Sequence, residues 1–176
     1  PIYAVTFGTL SQGRGGRPSS FSNSTRGIIL GGYGPAPTAT DVSSIDYITI
    51  SSTGNATNFG NMLATAFGSL QAGCSSSTRG ISVGSYAPAN TNTIQYVTIA
   101  STGNAVSFGQ LTQVKRNADA ASSPTRGVIM GGVAFPGVTA WTNVIEFVTI
   151  ATLGNGTNFG NLTLDKLNGS ACSSSV

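Results

Sequence analysis

The chain contains no histidine and few charged side chains of either sign. Lys, Arg, Asp and Glu together make up 7% of its residues, against about a quarter in an average soluble domain. Without an imidazole, the catalytic triads that rely on histidine are excluded. The surface must instead be formed mainly by Ser, Thr, Asn, Gln and Gly. This composition favours an extracellular or virion protein over a cytosolic one.

Cysteine and carboxylate groups are also scarce, with two Cys residues and five Asp or Glu residues in the chain. Cys74 and Cys172 occupy matching places in a repeat, each followed by three serines. Matching positions of a repeat fold are held apart, whereas a disulfide needs Cα atoms within about 7 Å, so we predict two free, buried thiols. Zinc would need further ligands that the chain lacks. Asp41 and Asp46 form the only close acidic pair, and nothing in their spacing marks a glycosidase. We therefore expect no enzyme activity, no metal and no cofactor.

Long hydrophobic runs and clusters of basic residues are missing as well. No apolar run exceeds three or four residues, which is too short for a transmembrane helix of about 20 residues. The eight basic residues are spread along the chain, and Arg14 and Arg17 in a Gly-rich stretch come nearest to a basic patch. A nucleic-acid interface normally needs clustered Lys and Arg. We expect neither membrane insertion nor nucleic-acid binding.

What the chain does contain is a motif that occurs three times. It reads SPTRGVIMGG at 123–132, STRGIILGG at 24–32 and STRGISVGS at 77–85. Its arginines are 53 and 47 residues apart: Arg26, Arg79 and Arg126. Two aromatic positions recur at intervals of 49 and 51 residues and lie 12 residues from each other in every copy: Tyr47, Tyr96 and Phe147, then Phe59, Phe108 and Phe159. A period of about 50 residues is typical of repeat architectures.

The period predicts a single repeat domain over 1–176. Its repeats cover 25–77, 78–124 and 125–176, and residues 1–24 comprise the end strands of a preceding repeat and a lead-in. Residues 4–10 match the strand around Phe59, and residues 172–175 match the strand that precedes each Thr-Arg-Gly. The array is therefore interpreted either as part of a longer one or as a protomer whose end strands complete a neighbour.

Apolar alternation and turn signals predict four short antiparallel strands, A to D, in each repeat. Strand A precedes the arginine, as at 118–123, and strand D carries a Phe-Gly pair, as at 57–61. Strand C is apolar on both faces, so each sheet must be covered on both sides. A Gly-Asn pair between strands C and D predicts a tight turn with positive φ angles. The B strands are expected at 27–33, 80–86 and 127–133, the C strands at 45–50, 94–99 and 145–150, and the turns within 52–56, 101–105 and 152–156.

The repeat resembles the kelch repeat, whose pattern has a glycine pair, a Tyr, a Trp and an Arg before the next unit. The two aromatic positions stand for the Tyr and the Trp, and Arg116 and Lys166 lie where the Arg is expected. The glycine pair corresponds to Gly31 and Gly32, to Gly131 and Gly132, and in the second copy to Gly84 and Ser85. The second copy therefore departs from the pattern.

The segments STRG and TGNATNFG are also similar to kelch-like arrays in tail-fibre and other virion structural proteins of marine tailed bacteriophages. The resemblance implies an all-β fold of kelch-like β-propeller blades, used as a spacer or as a host-recognition head. A propeller closes with about four to eight blades. Three repeats then imply that other chains or further blades complete the ring, in a homo-oligomer or in a longer chain. Copper-radical kelch enzymes need His ligands that this chain lacks.

The repeated arginines have two interpretations. A ring of guanidinium groups would bind an anion or an acidic sugar. Alternatively, each arginine binds loop carbonyls or an acid of strand C, such as Asp46 or Glu146, although the second copy has Gln95 there. Residues shared by all repeats usually encode the fold, which favours the structural interpretation for the arginines and for the repeated glycines and phenylalanines.

The loops between strands B and C differ most between the copies, at 34–44, 87–93 and 134–143. Loops on a rigid scaffold often carry recognition, and aromatic residues beside polar ones suit a sugar-binding pocket. The candidate residues for binding a glycan or a partner are Tyr33, Asp41, Tyr86, Asn90, Phe135 and Trp141. The alternative is that they seal sheet edges or pack against a neighbouring protomer.

We therefore expect a structural and adhesion module of a virion or extracellular appendage. Its B–C loops would recognise a cell-surface glycan or a host receptor, and its partners would be other protein subunits. The alternative is a protein-interaction propeller, similar to an adaptor, without carbohydrate binding.

Overall fold

The computed structural model describes residues 3–37, 40–64, 68, 70–86, 89–135 and 140–173. Within these ranges the protein is all-β and contains no helix, which confirms the predicted class. Its strands form three antiparallel sheets of four, four and six strands. No described segment forms a helix that is long and apolar enough to cross a membrane.

The first two sheets share one topology, in which four strands pair in chain order. The first sheet contains β1 (Ser19–Ser22), β2 (Arg26–Leu30), β3 (Ser44–Thr49) and β4 (Thr57–Asn61). The second contains β5 (Ala72–Ser75), β6 (Arg79–Ser85), β7 (Thr91–Thr98) and β8 (Val106–Gln110). Strands β2 to β4 and β6 to β8 are the predicted B, C and D of the first two repeats, and β1 and β5 are the A strands that precede their arginines.

The third sheet keeps this order and adds two short strands. It contains β9 (Val114–Arg116), β10 (Asp119–Ser122), β11 (Arg126–Met130), β12 (Val133–Phe135), β13 (Ala140–Thr149) and β14 (Thr157–Lys166). Strands β10, β11, β13 and β14 pair as A to D, while the start of β13 pairs with β12, which pairs with β9. The two added strands bring the segment before the third repeat against the B–C loop of that repeat.

The B strands differ from their predicted bounds. Each begins at the repeated arginine, and in the first and third sheets it ends at Leu30 and Met130, before the glycine pair. The first glycines of these pairs, Gly31 and Gly131, have φ angles of 65° and 66°. Glycine adopts this left-handed conformation without steric cost, so the glycine pair ends the strand by turning the chain.

The predicted Gly-Asn turn between strands C and D is wrong. In the first sheet the chain reverses earlier, where the Ser52 N–H donates to the Thr49 carbonyl at 3.4 Å. Neither Gly54 nor Asn55 has a positive φ angle. The Gly-Asn pair instead hydrogen-bonds to the D strand of the preceding repeat, so its role is to join repeats.

The hydrophobic core lies between successive sheets. Side chains of the first sheet that include Phe21 and Phe59 pack against Val97 and Ile99 of the second. A corresponding cluster joins the second sheet to the third, where Ile150 takes the position of Ile99. Strand C of the second sheet is therefore buried on both faces, as its apolar sequence predicts.

The A strands of the three sheets lie side by side. The Ser75 hydroxyl of β5 donates to the Ser22 carbonyl of β1, and the Ser122 hydroxyl of β10 donates to the Ser75 carbonyl, both at 2.7 Å. Strand β5 therefore lies between β1 and β10, and the sheets extend outward from these three strands.

A left-handed residue precedes each A strand. Arg17, Leu70 and Asn117 have φ angles of 61°, 65° and 56°, and Asn168 repeats the conformation at 55°. Successive members are in contact: Leu70 N–H donates to Gly16 O at 3.0 Å and Asn117 N–H donates to Leu70 O at 2.9 Å. Asn168 Oδ1 accepts hydrogen bonds from the side chains of Asn117 and Arg17. The fourth position thus contacts both the third and the first.

Candidate functional site

The repeated arginines make the same contact in each sheet. The guanidinium carbon lies 4.7, 4.9 and 4.5 Å from the centroid of the strand C aromatic ring of the same repeat: Tyr47 for Arg26, Tyr96 for Arg79 and Phe147 for Arg126. Arg26 also donates to the Ile99 carbonyl at 2.9 Å and Arg79 to the Ile150 carbonyl at 3.0 Å. Each of these two arginines therefore joins a ring of its own sheet to the backbone of the next.

The aromatic positions of strands C and D also repeat one geometry. The ring centroids lie 6.0 to 6.1 Å apart in an edge-to-face arrangement: Tyr47 with Phe59, Tyr96 with Phe108 and Phe147 with Phe159. In every repeat the arginine thus lies over the strand C ring, which contacts the strand D ring edge to face. Such pairs contribute about 0.5–1.5 kcal/mol beyond area burial.

The acids of strand C pair with other cations than the repeated arginines. Asp46 forms an ion pair with Arg14 at 3.3 Å, and Glu146 forms one with Lys115 at 2.6 Å. All four side chains are fully buried. In the second repeat the buried Gln95 takes the same position and its side-chain oxygen accepts from a backbone N–H. The acids therefore hold the segment that leads into their repeat.

Three of the predicted loop residues meet around Arg116. Its guanidinium lies 4.7 Å from the centroid of Tyr86 and 5.3 Å from that of Phe135, and Nη1 donates to Asn90 Oδ1 at 3.3 Å. Tyr86 and Asn90 belong to the second repeat and Phe135 to the third. Among the described residues, Arg116 forms no ion pair. Its positive charge is therefore not compensated by a carboxylate in this part of the chain.

Trp141 extends the same surface. Val133 of β12 pairs with Arg116 of β9 on one side and with Trp141 of β13 on the other, and residues directly opposite in antiparallel strands share a face. The side chain of Trp141 is 60% exposed and that of Tyr86 is 50% exposed. We call this surface the Arg116 cluster; it comprises Tyr86, Asn90, Arg116, Phe135 and Trp141.

The other two predicted residues, Tyr33 and Asp41, lie in the first repeat and not in the Arg116 cluster. They face each other in an isolated β-bridge, and Tyr33 also bridges to Gly15. Gly15 holds the position opposite Tyr33 that Arg116 holds opposite Val133. The first repeat therefore presents an exposed tyrosine without a neighbouring guanidinium at that position.

No family model matches the chain, and no curated protein is significantly similar to it. The resemblance to kelch repeats and to virion arrays therefore stays a prediction.

A cavity of about 630 Å³ lies among the A strands. Its lining consists largely of serines from successive repeats: Ser20, Ser22, Ser24, Ser75, Ser76, Ser77, Ser122, Ser123 and Ser173. Several of these hydroxyl groups already bond neighbouring strands, as Ser75 and Ser122 do. The serines that follow Cys74 and Cys172 are the sequence signal for this cavity.

A smaller cavity of about 270 Å³ adjoins it and contains Arg17 and Asp119, whose charged atoms are 3.7 Å apart. Burial raises the pKa of Asp119 above its ordinary value, against the opposing effects of Arg17 and of a hydrogen bond from the Gly169 backbone. Within the described ranges, no group of three or more Cys, Asp and Glu residues is placed to hold a metal ion. The charged groups of its described lining are those of this one ion pair.

Cys74 and Cys172 are both free, as predicted, but only Cys74 is buried. Cys74 is covered by the third sheet, where an added Cβ on Gly127 would lie 2.7 Å from its Sγ. Burial raises the pKa of Cys74 to about 12, and the thiolate is the reactive form.

We expect a thiol reagent at pH 8 to modify one cysteine of the folded protein, Cys172, and the second only after unfolding in urea. The Cys172→Ser variant is the control, and rapid labelling of this variant in its folded state would contradict the burial of Cys74.

Proposed function

We propose that this protein is a structural and adhesion module of an extracellular or virion appendage, built from kelch-like β-propeller blades, that binds carbohydrate through the Arg116 cluster. The observation that carries the proposal is the exposed ring of Tyr86 against the Arg116 guanidinium, which has no carboxylate partner among the described residues. Trp141, also exposed, lies two strands from Arg116 on the same sheet. A surface with few charges supports the extracellular setting.

The chemistry of the Arg116 cluster suits a sugar. Exposed aromatic rings stack on the apolar face of a pyranose, while Asn90 and Arg116 offer groups that bond hydroxyls. A guanidinium also forms strong, paired hydrogen bonds with planar anionic groups. We therefore infer a preference for sugars that carry a carboxylate or a sulfate over neutral ones.

The blade arrangement is supported by the repeated sheets. Each sheet has its A strand against the A strands of its neighbours and its apolar faces against the adjacent sheets. Blades that radiate from a common axis have this arrangement. The loops between strands B and C then project from one surface of the scaffold, which is where we place recognition.

Trp141 is the only tryptophan and therefore reports directly on the Arg116 cluster. We expect acidic glycans from an array to bind, and the best of them to change the tryptophan fluorescence on titration. Arg116→Ala should weaken this binding about tenfold or more, which corresponds to about 1.4 kcal/mol. Trp141→Ala, followed by calorimetry, should weaken it by a similar factor because the stacking surface is removed.

Tyr3→Ala is the matched control, because Tyr3 is 78% exposed but lies outside the Arg116 cluster. This variant should bind with unchanged affinity. A blank glycan array, or binding that survives both Arg116→Ala and Trp141→Ala, would refute the carbohydrate proposal.

A further inference from the structure

Successive repeats are joined by one set of contacts. Between the first and second repeats, the Phe59 carbonyl accepts from Gly103 N–H at 2.8 Å, and Asn104 Oδ1 accepts from Asn61 N–H at 2.9 Å. The same contacts recur between the second and third repeats. A D strand therefore receives the Thr-Gly-Asn or Leu-Gly-Asn segment of the repeat that follows it.

The N-terminal segment makes these contacts with the first repeat. Phe7 O accepts from Gly54 N–H at 2.9 Å, and Thr9 N–H donates to Asn55 Oδ1 at 3.1 Å. Residues 4–10 thus take the place of a preceding D strand, as their sequence predicts. They belong to none of the three sheets, so no C strand of the described chain pairs with them.

The third sheet presents the corresponding surface uncovered. Phe159 is 55% exposed, whereas Phe59 and Phe108 are 3% and 4% exposed. Lys166 corresponds in the repeat to the buried Lys115, but it is exposed and forms no ion pair within the described residues. This face is therefore a copy of the interface that forms twice within the chain, and no described repeat covers it.

The first sheet is uncovered on the opposite side. Ile50 of the first repeat is 43% exposed, while its counterparts Ile99 and Ile150 are 0% and 1% exposed. Both apolar faces that have no neighbouring repeat thus remain open to solvent.

Two end segments border the space between these faces. Asn168 contacts Arg17 and Asn117, and Ala171 and Ser173 line the cavity among the A strands. Residues 170–173 therefore lie in the place of a fourth A strand, and residues 4–10 lie in the place of its D strand. In a fourth sheet, strands B and C would lie between these A and D positions.

We propose that this space binds a two-stranded β-hairpin with the B–C sequence of this repeat, supplied by a partner polypeptide. The hairpin pairs its B strand with residues 170–173 and its C strand with residues 4–10, and it completes a fourth blade. This inference rests on the propeller arrangement proposed above, but not on carbohydrate binding.

The internal interfaces specify the chemistry of the hairpin. It carries an acid at the position of Asp46, which pairs with Lys166, and a Gly-Asn pair, which binds the Phe159 carbonyl and the Asn161 N–H. Its Thr-Arg-Gly arginine donates to the Ile50 carbonyl, as Arg26 does to Ile99. By the register of the three sheets, Ser173 lies opposite the glycine of Thr-Arg-Gly.

The test is a peptide with the sequence of residues 24–56, added to the full chain. Calorimetry should give one bound peptide per chain, and at saturation the melting temperature should rise by about 4 °C or more. A scrambled peptide should do neither. The proposal is overturned if both peptides bind equally or if neither binds. The one exception is that the fusion protein described below has a raised melting temperature.

Charge variants test the orientation of the hairpin. Lys166→Glu should weaken binding about tenfold or more, and a peptide with Asp46→Lys should restore it, because the ion pair is re-formed with reversed charges. If Lys166→Glu leaves the affinity unchanged, the hairpin does not occupy the proposed position. Lys166 pairs with Thr142, the neighbour of Trp141, so hairpin binding is also measured on Arg116→Ala, which keeps Lys166. Unchanged hairpin affinity in that variant separates this site from carbohydrate binding.

A fusion protein that carries the hairpin covalently tests the proposal if the free peptide self-associates. Residues 25–56 fused after Ser175 restore the Cys-Ser-Ser-Ser-Thr-Arg-Gly spacing of the second repeat and carry the acid Asp46. The fusion should melt about 5 °C or more above the parent chain, and Phe159 and Ile50 should become protected from solvent. An unchanged melting temperature together with flexible added residues would refute the proposal.

Discussion

Gly80→Ala is expected to destabilise the protein by about 3 kcal/mol. The added methyl group would overlap the ring of Phe21, which packs from β1 of the first sheet onto the backbone of β6. Gly80 has no positive φ angle, so alanine fits the backbone and the cost is one of overpacking. Urea unfolding followed by far-UV circular dichroism measures the change in the free energy of unfolding.

The equivalent glycines provide matched controls. An alanine Cβ at Gly27 would meet only the Ile48 side chain, at 3.2 Å, because no preceding A strand covers this position. Gly27→Ala should therefore change the free energy of unfolding by less than about 1 kcal/mol. Combining Phe21→Ala with Gly80→Ala should cost less than the sum of the two single changes, because the overlap is relieved. Equal effects at Gly27 and Gly80 would show that the contact between the sheets is not the cause.

Lys115→Met is the second change with a large expected effect. It leaves the buried Glu146 carboxylate without its cation, and losing one partner of a buried ion pair costs about 3–5 kcal/mol. The double variant Lys115→Met with Glu146→Gln should recover most of this loss, because it reproduces the neutral glutamine that the second repeat has at Gln95. Chemical denaturation of the single and double variants measures both effects.

Lys166→Met is the control for this substitution. Lys166 holds the same repeat position as Lys115 but is exposed, so its replacement should alter stability by less than about 0.5 kcal/mol. A small effect of Lys115→Met, or a double variant as unstable as the single one, would contradict the importance of the ion pair.

The contact between Gly80 and Phe21 is one that the local sequence pattern does not display. The repeat period and the alternation of apolar residues predicted twelve strands, and the structure forms four in each repeat and adds β9 and β12. The strands are predictable because alternation and strand ends depend on near neighbours in the chain. The partner of Gly80 is not, since Phe21 comes from the preceding repeat and the pattern does not say how closely the two backbones approach.

The buried ion pairs do have a sequence signal. Arg14, Lys115 and Lys166 each follow the phenylalanine of a Phe-Gly pair by seven residues. That spacing indicates a shared role, but not the acid that each cation meets. Asp46 and Glu146 were expected to pair with the repeated arginines if they paired at all, and the structure pairs them with Arg14 and Lys115 instead.

The Gly-Asn pair is a case in which a clear local sequence signal predicted the wrong structure. Its residue types favour a tight turn, and this prediction is wrong because Asn55 and its counterparts bond to the preceding D strand. A contact between repeats can override a local turn preference, since the backbone groups of the D strand edge need partners. The same pairing explains why the segment around Phe7 stays attached to the first repeat although it lies in no sheet.

The candidate site was predicted in part from the sequence, and the rest of it depends on the tertiary structure. Aromatic and polar residues in the B–C loops were predicted from composition, but their grouping depends on how two repeats meet. Tyr86 and Asn90 reach Phe135 only because Arg116, from the segment between their repeats, stacks on both rings. Tyr33 and Asp41 have the same residue types, but the position that corresponds to Arg116 is Gly15 there, and they remain a separate surface.

The sequence by itself determined the all-β class, the period of about 50 residues, the four strands of each repeat and the match of residues 4–10 to a D strand. These properties follow from short-range alternation and from repetition, both of which are visible along the chain. Only the tertiary structure decided which cations meet the buried acids, why Cys172 is exposed while Cys74 is not, and which faces lack a neighbour. Those properties depend on the packing of one repeat against the next, and packing is set by distances between residues about 50 positions apart that no local pattern encodes.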